Sequence, residues 1–360
     1  MWNDTRITKL LGVPYPILQG PFGGNLSTVK LTAAVSNAGG VGGFGCYTLS
    51  RLEIVKVIAE IRRATDKPYN INLWVSNSDV PAGGITDAAF ERARELFRPF
   101  FDEVGLPVPE KPVSWPIPFE EQVQVVLDAK PPVFSFVFGI PSADVLEQCR
   151  RARIVTAGGA TTVEEALALE AAGVDVIVAS GFESGGHRVS WLERAEDSLT
   201  GTFVLVQEIR DRVRVPVVAA GGIATGNGIA AALALGADGV QVGTAFLACE
   251  ESGAPEFHRR MLLSRDGSRK TVLTRAFTGR LGRGLRNRVA REVAGSDGVL
   301  PFGLQSRWLA GLRQAAIEQQ KYDLIFLWSG QIAPLLKHSR AEKLMKALVE
   351  GADHYFAEAR

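Results

Sequence analysis

Cysteine is scarce in this chain. Cys46, Cys149 and Cys249 are its only three in 360 residues. They are odd in number and widely spaced, which excludes both a disulfide framework and metal-ligand spacing. Free thiols suit a reducing cytoplasm, because secreted proteins usually pair them. Net charge is nearly absent too, at +1 from 40 basic and 39 acidic residues. No long-range field therefore steers the protein toward nucleic acid or an anionic membrane. The start, Met1-Trp2-Asn3-Asp4, lacks the basic-then-apolar pattern of a signal peptide. A membrane span needs roughly 20 apolar residues without interruption. The most apolar stretch, 215–247, is broken by Gly221, Gly222, Gly226, Gly228, Gly236, Gly239 and Gly243. It reads as two buried strands around a helix of small residues. No internal repeat or low-complexity tract suggests an array.

What is present is apolar and β-rich. Hydrophobic residues make up 46% of the chain, ample for one large core. A chain of about 250 to 400 residues fits one barrel with insertions. Eight short apolar runs recur, at 15–19, 41–45, 69–75, 133–139, 153–158, 174–180, 215–220 and 239–246. They are continuous rather than alternating, as parallel strands buried on both faces require. Helical patterns at 49–63, 162–172 (with Thr161 as N-cap), 202–213 and 228–235 separate them. Eight such units predict a TIM (β/α)8 barrel. An open doubly wound sheet is the alternative. Its G-x-G-x-x-G turn after the first strand is absent, because the chain reads Gln19-Gly20-Pro21-Phe22-Gly23-Gly24 there. The barrel would span 1–249, with an insertion at 77–132 that carries two helices and a proline-rich crossing. A mainly helical, substrate-covering insertion would span 250–323, and 324–360 would return to the barrel. Within the second insertion, Arg275, Arg280, Arg283, Arg286 and Arg288 form a basic cluster. It is either an anion site or a solvated face.

Barrel enzymes often bind phosphate at the loops after strands seven and eight. Here those loops read Ala219-Ala220-Gly221-Gly222-Ile223 and Gln241-Val242-Gly243-Thr244. Glycine lets backbone N–H groups approach phosphate oxygens, a helix N-terminus adds partial positive charge, and Thr244 adds a hydroxyl. His187 ends the stretch Ser180-Gly181-Phe182-Glu183-Ser184-Gly185-Gly186-His187, just past the sixth strand. Histidine titrates near neutral pH, so on a barrel's catalytic face it moves a proton or stabilises an anion. No second histidine or cysteine lies at ligand spacing from it, so no metal is expected. His258, His338 and His354 lie away from strand ends and read as structural. Asn70 and Asn72 share one strand face. They are either satisfied core amides or cofactor contacts.

At these residues the sequence resembles the nitronate monooxygenases, formerly 2-nitropropane dioxygenases, and class I in particular. Pro16-Ile17-Leu18-Gln19-Gly20-Pro21 is similar to the family's first-strand turn, and Ala34-Val35-Ser36-Asn37-Ala38-Gly39-Gly40 to the segment after it. Asn70-Ile71-Asn72-Leu73, Ser135-Phe136-Val137-Phe138-Gly139, 181–188 and 219–228 resemble later motifs, and Thr274-Arg275-Ala276-Phe277-Thr278-Gly279-Arg280 and Leu327-Trp328-Ser329-Gly330-Gln331 the class I C-terminal region. The resemblance covers nearly the whole chain and implies FMN. It places Asn72, Ser180, Gly185, Gly186, Ala220, Gly221, Gly222, Gln241, Val242, Gly243 and Thr244 at the cofactor. The Gln19, Gly20, Pro21, Phe22 and Gly23 turn would lie against its ring, and His187 would be catalytic. Two departures fall near the ring. The family usually has glutamine at Ser180, and a methionine common in the first turn is Phe22 here.

The function implied is oxidation of an alkyl nitronate or nitroalkane by O2 to a carbonyl compound and nitrite, without reduced nicotinamide. His187 would abstract the proton of the neutral nitroalkane or stabilise the bound anion. The alternative on the same scaffold is an NAD(P)H-dependent FMN reductase of enoyl thioesters or quinones. A third is a flavin-carrying protein without activity, which the His187 motif argues against. The expected partners are a small-molecule substrate and O2, with a homodimer compatible with the chain.

Overall fold

The computed structural model describes residues 1–76, 85–111, 117–264 and 270–358. Eight parallel strands ring the centre: β1 (Ile17–Gln19), β2 (Gly42–Gly45), β3 (Tyr69–Trp74), β4 (Val133–Val137), β5 (Val155–Ala160), β6 (Val176–Ser180), β8 (Val217–Ala220) and β9 (Gly239–Val242). A short β7 (Gly186–His187) lies between β6 and β8 in sequence but pairs elsewhere. The order is β1-β9-β8-β6-β5-β4-β3-β2. The ring closes because Gln19 N–H donates to Val41 O and Val41 N–H to Ile17 O, both at 2.9 Å. This is the TIM barrel the apolar runs predict, and closure leaves no sheet edge exposed.

Helices α1 (Arg6–Leu11), α2 (Val29–Asn37), α3 (Arg51–Ala64), α4 (Asp87–Glu103), α5 (Phe119–Ala129), α6 (Ala143–Arg151), α7 (Val163–Ala171), α8 (Thr202–Arg212), α9 (Gly226–Ala234) and α10 (Thr244–Leu247) accompany the strands. Their starts follow capping chemistry. Ser50 accepts from the Glu53 N–H while the Glu53 carboxylate accepts from Ser50 N–H, a full capping box. Two expectations need correction. Thr162, not Thr161, caps α7. The eighth strand stops at Val242, and 244–247 is helical, because Gly243 turns the chain there with φ −102 and ψ −84. Helix α1 closes the barrel's N-terminal end. Its Ile7 and Leu11 pack with the small inward residues Leu18, Val41, Val176, Val178 and Val218. Arg6 anchors it by two hydrogen bonds to Asp238, at 2.7 and 2.6 Å.

Beyond β9 the chain forms α11 (Glu256–Leu263), the hairpin β10 (Thr271–Thr274) and β11 (Gly282–Leu285), then α12 (Arg288–Glu292), α13 (Leu304–Trp308) and α14 (Ala310–Glu318). The segment is therefore less uniformly helical than predicted. It builds a second core, and α4 from the first insertion joins it through Phe90, Phe97, Phe100 and Phe101. Trp308 sits at the join, with ring centroids 5.6 Å from both Phe97 and Phe101, and its indole donates to Pro109 O at 3.1 Å. Of the predicted proline-rich crossing, Pro112 and Pro116 lie outside the described residues. The last helix, α15 (Ala341–Glu358), packs on α9 and α2. Among the described residues no helix is long and apolar enough to cross a membrane.

Glu165 ties the barrel to the loop that carries His187. Its carboxylate is fully buried and accepts from Thr161 N–H and Oγ, at 2.6 and 2.8 Å, and from the N–H groups of Trp191 and Leu192, at 2.6 and 3.1 Å. Removing it strands several buried donors, each worth roughly 1–3 kcal/mol. Glu165→Ala should therefore lower unfolding free energy by about 3 kcal/mol or more in a urea titration. A change under about 1 kcal/mol would show that water satisfies those donors.

Candidate active site

The carboxyl ends of the barrel strands open into one cavity of about 590 Å³. Of the residues predicted from the sequence, Gly20, Pro21, Phe22, Gly23, Asn72, Ser180, Gly185, Gly186, His187, Ala220, Gly221, Gly222, Gln241, Gly243 and Thr244 all line it. Gln19 and Val242 do not. Gln19 is buried between strands, where its amide donates to Gly20 O and accepts from Gly43 N–H at 2.8 Å. Val242 turns its side chain into the outer core, as the two-residue strand period demands beside cavity-facing Gln241. Asn70 and Asn72 share a partner: their amides donate to Ser135 Oγ at 2.8 and 2.9 Å. Only Asn72 reaches the cavity; Asn70 stays in the core, where its carbonyl oxygen has no partner among the described residues.

One end of the cavity is made of backbone. Gly221 and Gly222, at φ +109 and +73, turn the chain after β8. A Cβ on Gly221 would meet Ser184 Oγ at 2.7 Å, whereas one on Gly243 would meet nothing nearer than Phe22 Cε1 at 4.0 Å. Gly330 N–H donates to Thr244 Oγ at 2.8 Å, which leaves the threonine proton to donate. Helix α9 starts at Gly226, past the cavity-lining Ile223, with Thr225 Oγ accepting from Gly228 N–H, whereas α10 starts at the cavity-lining Thr244.

The other end is aromatic, and His187 stands in it. Its ring centroid lies 4.7 Å from Trp328, 5.2 Å from Trp74 and 5.6 Å from Phe302. Its Nε2 lies 2.9 Å from Thr278 Oγ. The residue's remaining exposure faces the cavity. Burial, with the Arg280 charge second, pushes His187 down to about 3. Its backbone is held from outside the barrel, because β7 pairs antiparallel with β11, Gly186 opposite Arg283 and His187 opposite Gly282. Phe138, at φ 64, ends β4 in a left-handed conformation that a bulky residue adopts only under constraint. Its ring carries the Arg280 guanidinium at 3.8 Å, with Phe302 on the other side at 4.0 Å.

The predicted arginine cluster is not one site. Arg275 pairs with Glu196, and Arg288 with Glu103 and Asp323. Arg283 is buried and donates to Phe182 O at 3.0 Å and Thr271 Oγ at 3.0 Å. His258, expected to be structural, also lines the cavity. It donates to Trp328 O at 2.9 Å, and burial pushes it down to about 4. Sequence reasoning missed Trp74, Thr278, Phe302, Trp328, Ser184 and Gly330 as lining residues. Trp74 was findable, since Asn70, Asn72 and Trp74 share strand parity. Thr278, Trp328 and Gly330 lie inside motifs that the resemblance quotes, yet nothing local marks them as facing a cavity.

The family model described as nitronate monooxygenase matches residues 4–351. A probable nitronate monooxygenase of Staphylococcus aureus (strain Newman) is 35% identical over 351 residues, covering 97% of each chain. That of Staphylococcus haemolyticus is 36% identical over 355 residues, also covering 97% of each. Among solved structures, nitroalkane oxidase from Streptomyces ansochromogenes superposes with a TM-score of 0.89 at 34% identity, over 98% of this chain and 99% of that one. FabK from Thermotoga maritima superposes with a TM-score of 0.71 at 27% identity, over 99% and 98%. A barrel with this mouth and these whole-length matches makes the chain a member of the nitronate monooxygenase family, an oxidoreductase on a TIM barrel.

Proposed function

We propose that the protein oxidises alkyl nitronates, and the nitroalkanes that give rise to them, with O2 and bound FMN, releasing a carbonyl compound and nitrite. The observation that carries this reading is the pairing of a histidine in an aromatic enclosure with a glycine-rich cradle in the same cavity. The residues fit FMN. Gly243 leaves open space where a side chain would stand. Thr244 keeps a hydroxyl proton to donate. The Gln241 amide and the Asn72 carbonyl oxygen have no protein partner among the described residues and face the cavity. FMN, when bound, supplies the electron-accepting ring. Gly221, Gly222, Gly243 and Thr244 would hold its phosphate, and the 20–23 turn with Asn72, Gly185 and Gln241 its ring. Phe277, Thr278 and Phe302 of the segment after β9 roof the cavity, so that segment would cover the substrate and exclude water.

His187 then acts as the base. An anion anchor needs a cation or a free N–H: burial pushes the imidazole's pKa down, which disfavours the cation, and Nε2 faces Thr278 Oγ at 2.9 Å rather than the cavity. The reductase reading is kept as a second outcome because FabK shares the fold at 27% identity. Nitrite formed from ethylnitronate without NAD(P)H supports the nitronate reading. Flavin bleaching by NADPH with no nitrite from either substrate form would replace it.

The purified protein should be yellow and release FMN on denaturation, read by chromatography. FAD as the main species would contradict the single cradle. Gly243→Asp should abolish FMN binding with the circular dichroism of the barrel intact, since its carboxylate would stand in the phosphate position. Gly222→Asp should also lose FMN, but φ +73 adds strain there, which makes Gly243 the cleaner site. Unchanged FMN affinity in Gly243→Asp would move the phosphate elsewhere.

His187→Ala should cut turnover of neutral nitroethane by roughly 10²–10⁴ and oxidation of preformed ethylnitronate far less. The pH dependence follows from the sign of the shift. Burial holds His187 down to about 3 in the folded protein, against 6.5 for an ordinary histidine. In that window the unfolded chain binds the proton first. The contribution of neutral His187 to stability is thus fully present above about pH 6.5 and is lost as pH falls toward 3. The kcat/KM for nitroethane should accordingly show no acid limb near pH 6.5, and wild type should lose more stability between pH 7 and 5 than His187→Gln. An inflection near 6.5 that disappears in the variant would show that His187 titrates normally.

A further inference from the structure

The hydrogen bonds around Thr278 fix which nitrogen of His187 carries the proton. Thr278 Oγ lies 2.9 Å from His187 Nε2 and 3.1 Å from Arg280 O, and the Arg280 N–H approaches it at 3.4 Å. A hydroxyl has one proton to give. Given to Nε2, it leaves Oγ and Arg280 O facing each other as two acceptors. Given to Arg280 O, it makes every contact a donor meeting an acceptor: Nε2–H to Oγ, Oγ–H to the carbonyl, and the Arg280 N–H to Oγ. The network therefore assigns the proton to Nε2. The ring's other nitrogen, Nδ1, has no partner among the described residues, although His187 lines the cavity. The neighbouring Cδ2 faces the hairpin, 3.3 Å from where a Cβ on Gly282 would stand. The Nε2–Cδ2 edge thus belongs to the hairpin side and the Nδ1–Cε1 edge to the opposite side.

We propose that Thr278 is a positioning residue that holds His187 as the Nε2–H tautomer and so makes Nδ1 the atom that takes the substrate proton. The inference rests on the reading of His187 as the base. In the step it serves, the C–H bond next to the nitro group breaks and its electron pair stays on the substrate as the nitronate. The proton forms the new N–H bond at Nδ1. Nε2–H remains donated to Thr278 Oγ, whose own proton remains on Arg280 O, and no oxidant is consumed. The same short segment also holds the His187 backbone, since Gly282 pairs with it and Arg188 N–H donates to Leu281 O at 2.9 Å. One stretch, 278–282, thereby sets both the place of the ring and its tautomer. A neutral ring with its lone pair toward the cavity repels an incoming anion, which suits a base and not an anchor.

The test uses FMN-loaded wild type, Thr278→Val and Thr278→Ser, with ¹⁵N-labelled histidine. Wild type should show the nitrogen shifts of a protonated Nε2 and a bare Nδ1. Thr278→Val should show mixed tautomers. It should also lose kcat/KM for nitroethane by about 10- to 100-fold, less than when an orienting triad carboxylate is replaced, with a much smaller loss on preformed ethylnitronate. Thr278→Ser should restore both the shifts and the rate. A bare Nε2 in wild type, equal losses on both substrate forms, an unchanged rate in Thr278→Val, or no rescue by serine would each overturn the proposal. If wild type releases no nitrite from either substrate while its shifts show Nε2–H, the base reading falls and the tautomer assignment stands.

Discussion

The site depends on immobilising a loop. His187 lies seven residues beyond Ser180, where β6 ends, too far for the barrel alone to hold it. Buried arginines do much of the work. Arg188 donates to Ser180 O and Gly181 O, at 3.0 and 2.7 Å, and to Ser198 O at 2.7 Å. Arg283 reaches across from β11 to Phe182 O. Neither makes an ion pair among the described residues, and burial pushes Arg188 down to about 10. Burying a guanidinium is costly, and several backbone carbonyls offset that cost only when the loop is already in place. The β7–β11 pairing supplies that condition. Barrel, loop and second core are therefore coupled: a change that loosens β11 moves His187 without touching it.

The enclosure that keeps His187 neutral also shapes the chemistry proposed for it. A low-dielectric cavity penalises an imidazolium alone and a nitronate alone. Proton transfer from a neutral nitroalkane to neutral His187 creates both at once, side by side, and their attraction is strong where water is excluded. A preformed nitronate arrives already charged and gains no such partner until His187 takes up a proton from solvent. Neutral substrate and neutral base are the pair this cavity receives at least electrostatic cost. Trp74, Phe302 and Trp328 are part of that argument, because they keep water from the ring.

The barrel was legible because parallel strands buried on both faces leave continuous apolar runs, and each of the eight runs overlaps a strand. The limits were local. Residues 244–247 are as apolar as a strand, so nothing before Gly243 announced the turn. Gln19 and Val242 were grouped with their neighbours as cofactor contacts because a motif is contiguous, whereas a strand alternates. Long-range packing left no trace at all. Phe97 and Trp308 meet across more than two hundred residues, and no periodicity in α4 names its partner. The arginine cluster stayed open in the sequence for a related reason: near one another in sequence, its members point to Glu196, Phe138, Phe182 and Glu103.

The two departures from the family pattern fall on the part of the cavity that side chains build. Ser180 Oγ spends its reach on Ser184 Oγ at 3.3 Å, so it does not replace the longer amide usual there. Phe22 sets its ring edge near Gly20 and Gly243. The proposed phosphate end is built differently, from the backbone of Gly221, Gly222 and Gly243 with one hydroxyl at Thr244, to which Gly330 N–H donates. Substituting a neighbouring side chain removes none of those N–H groups, and the Phe22 ring edge stays 4.0 Å from where a Cβ on Gly243 would stand. A cofactor held by backbone, as proposed, would tolerate the changes at 22 and 180. A substrate sensed by side chains would not, and on that reading the preference among nitro compounds would be set where Phe22, Ser180 and the aromatic enclosure meet.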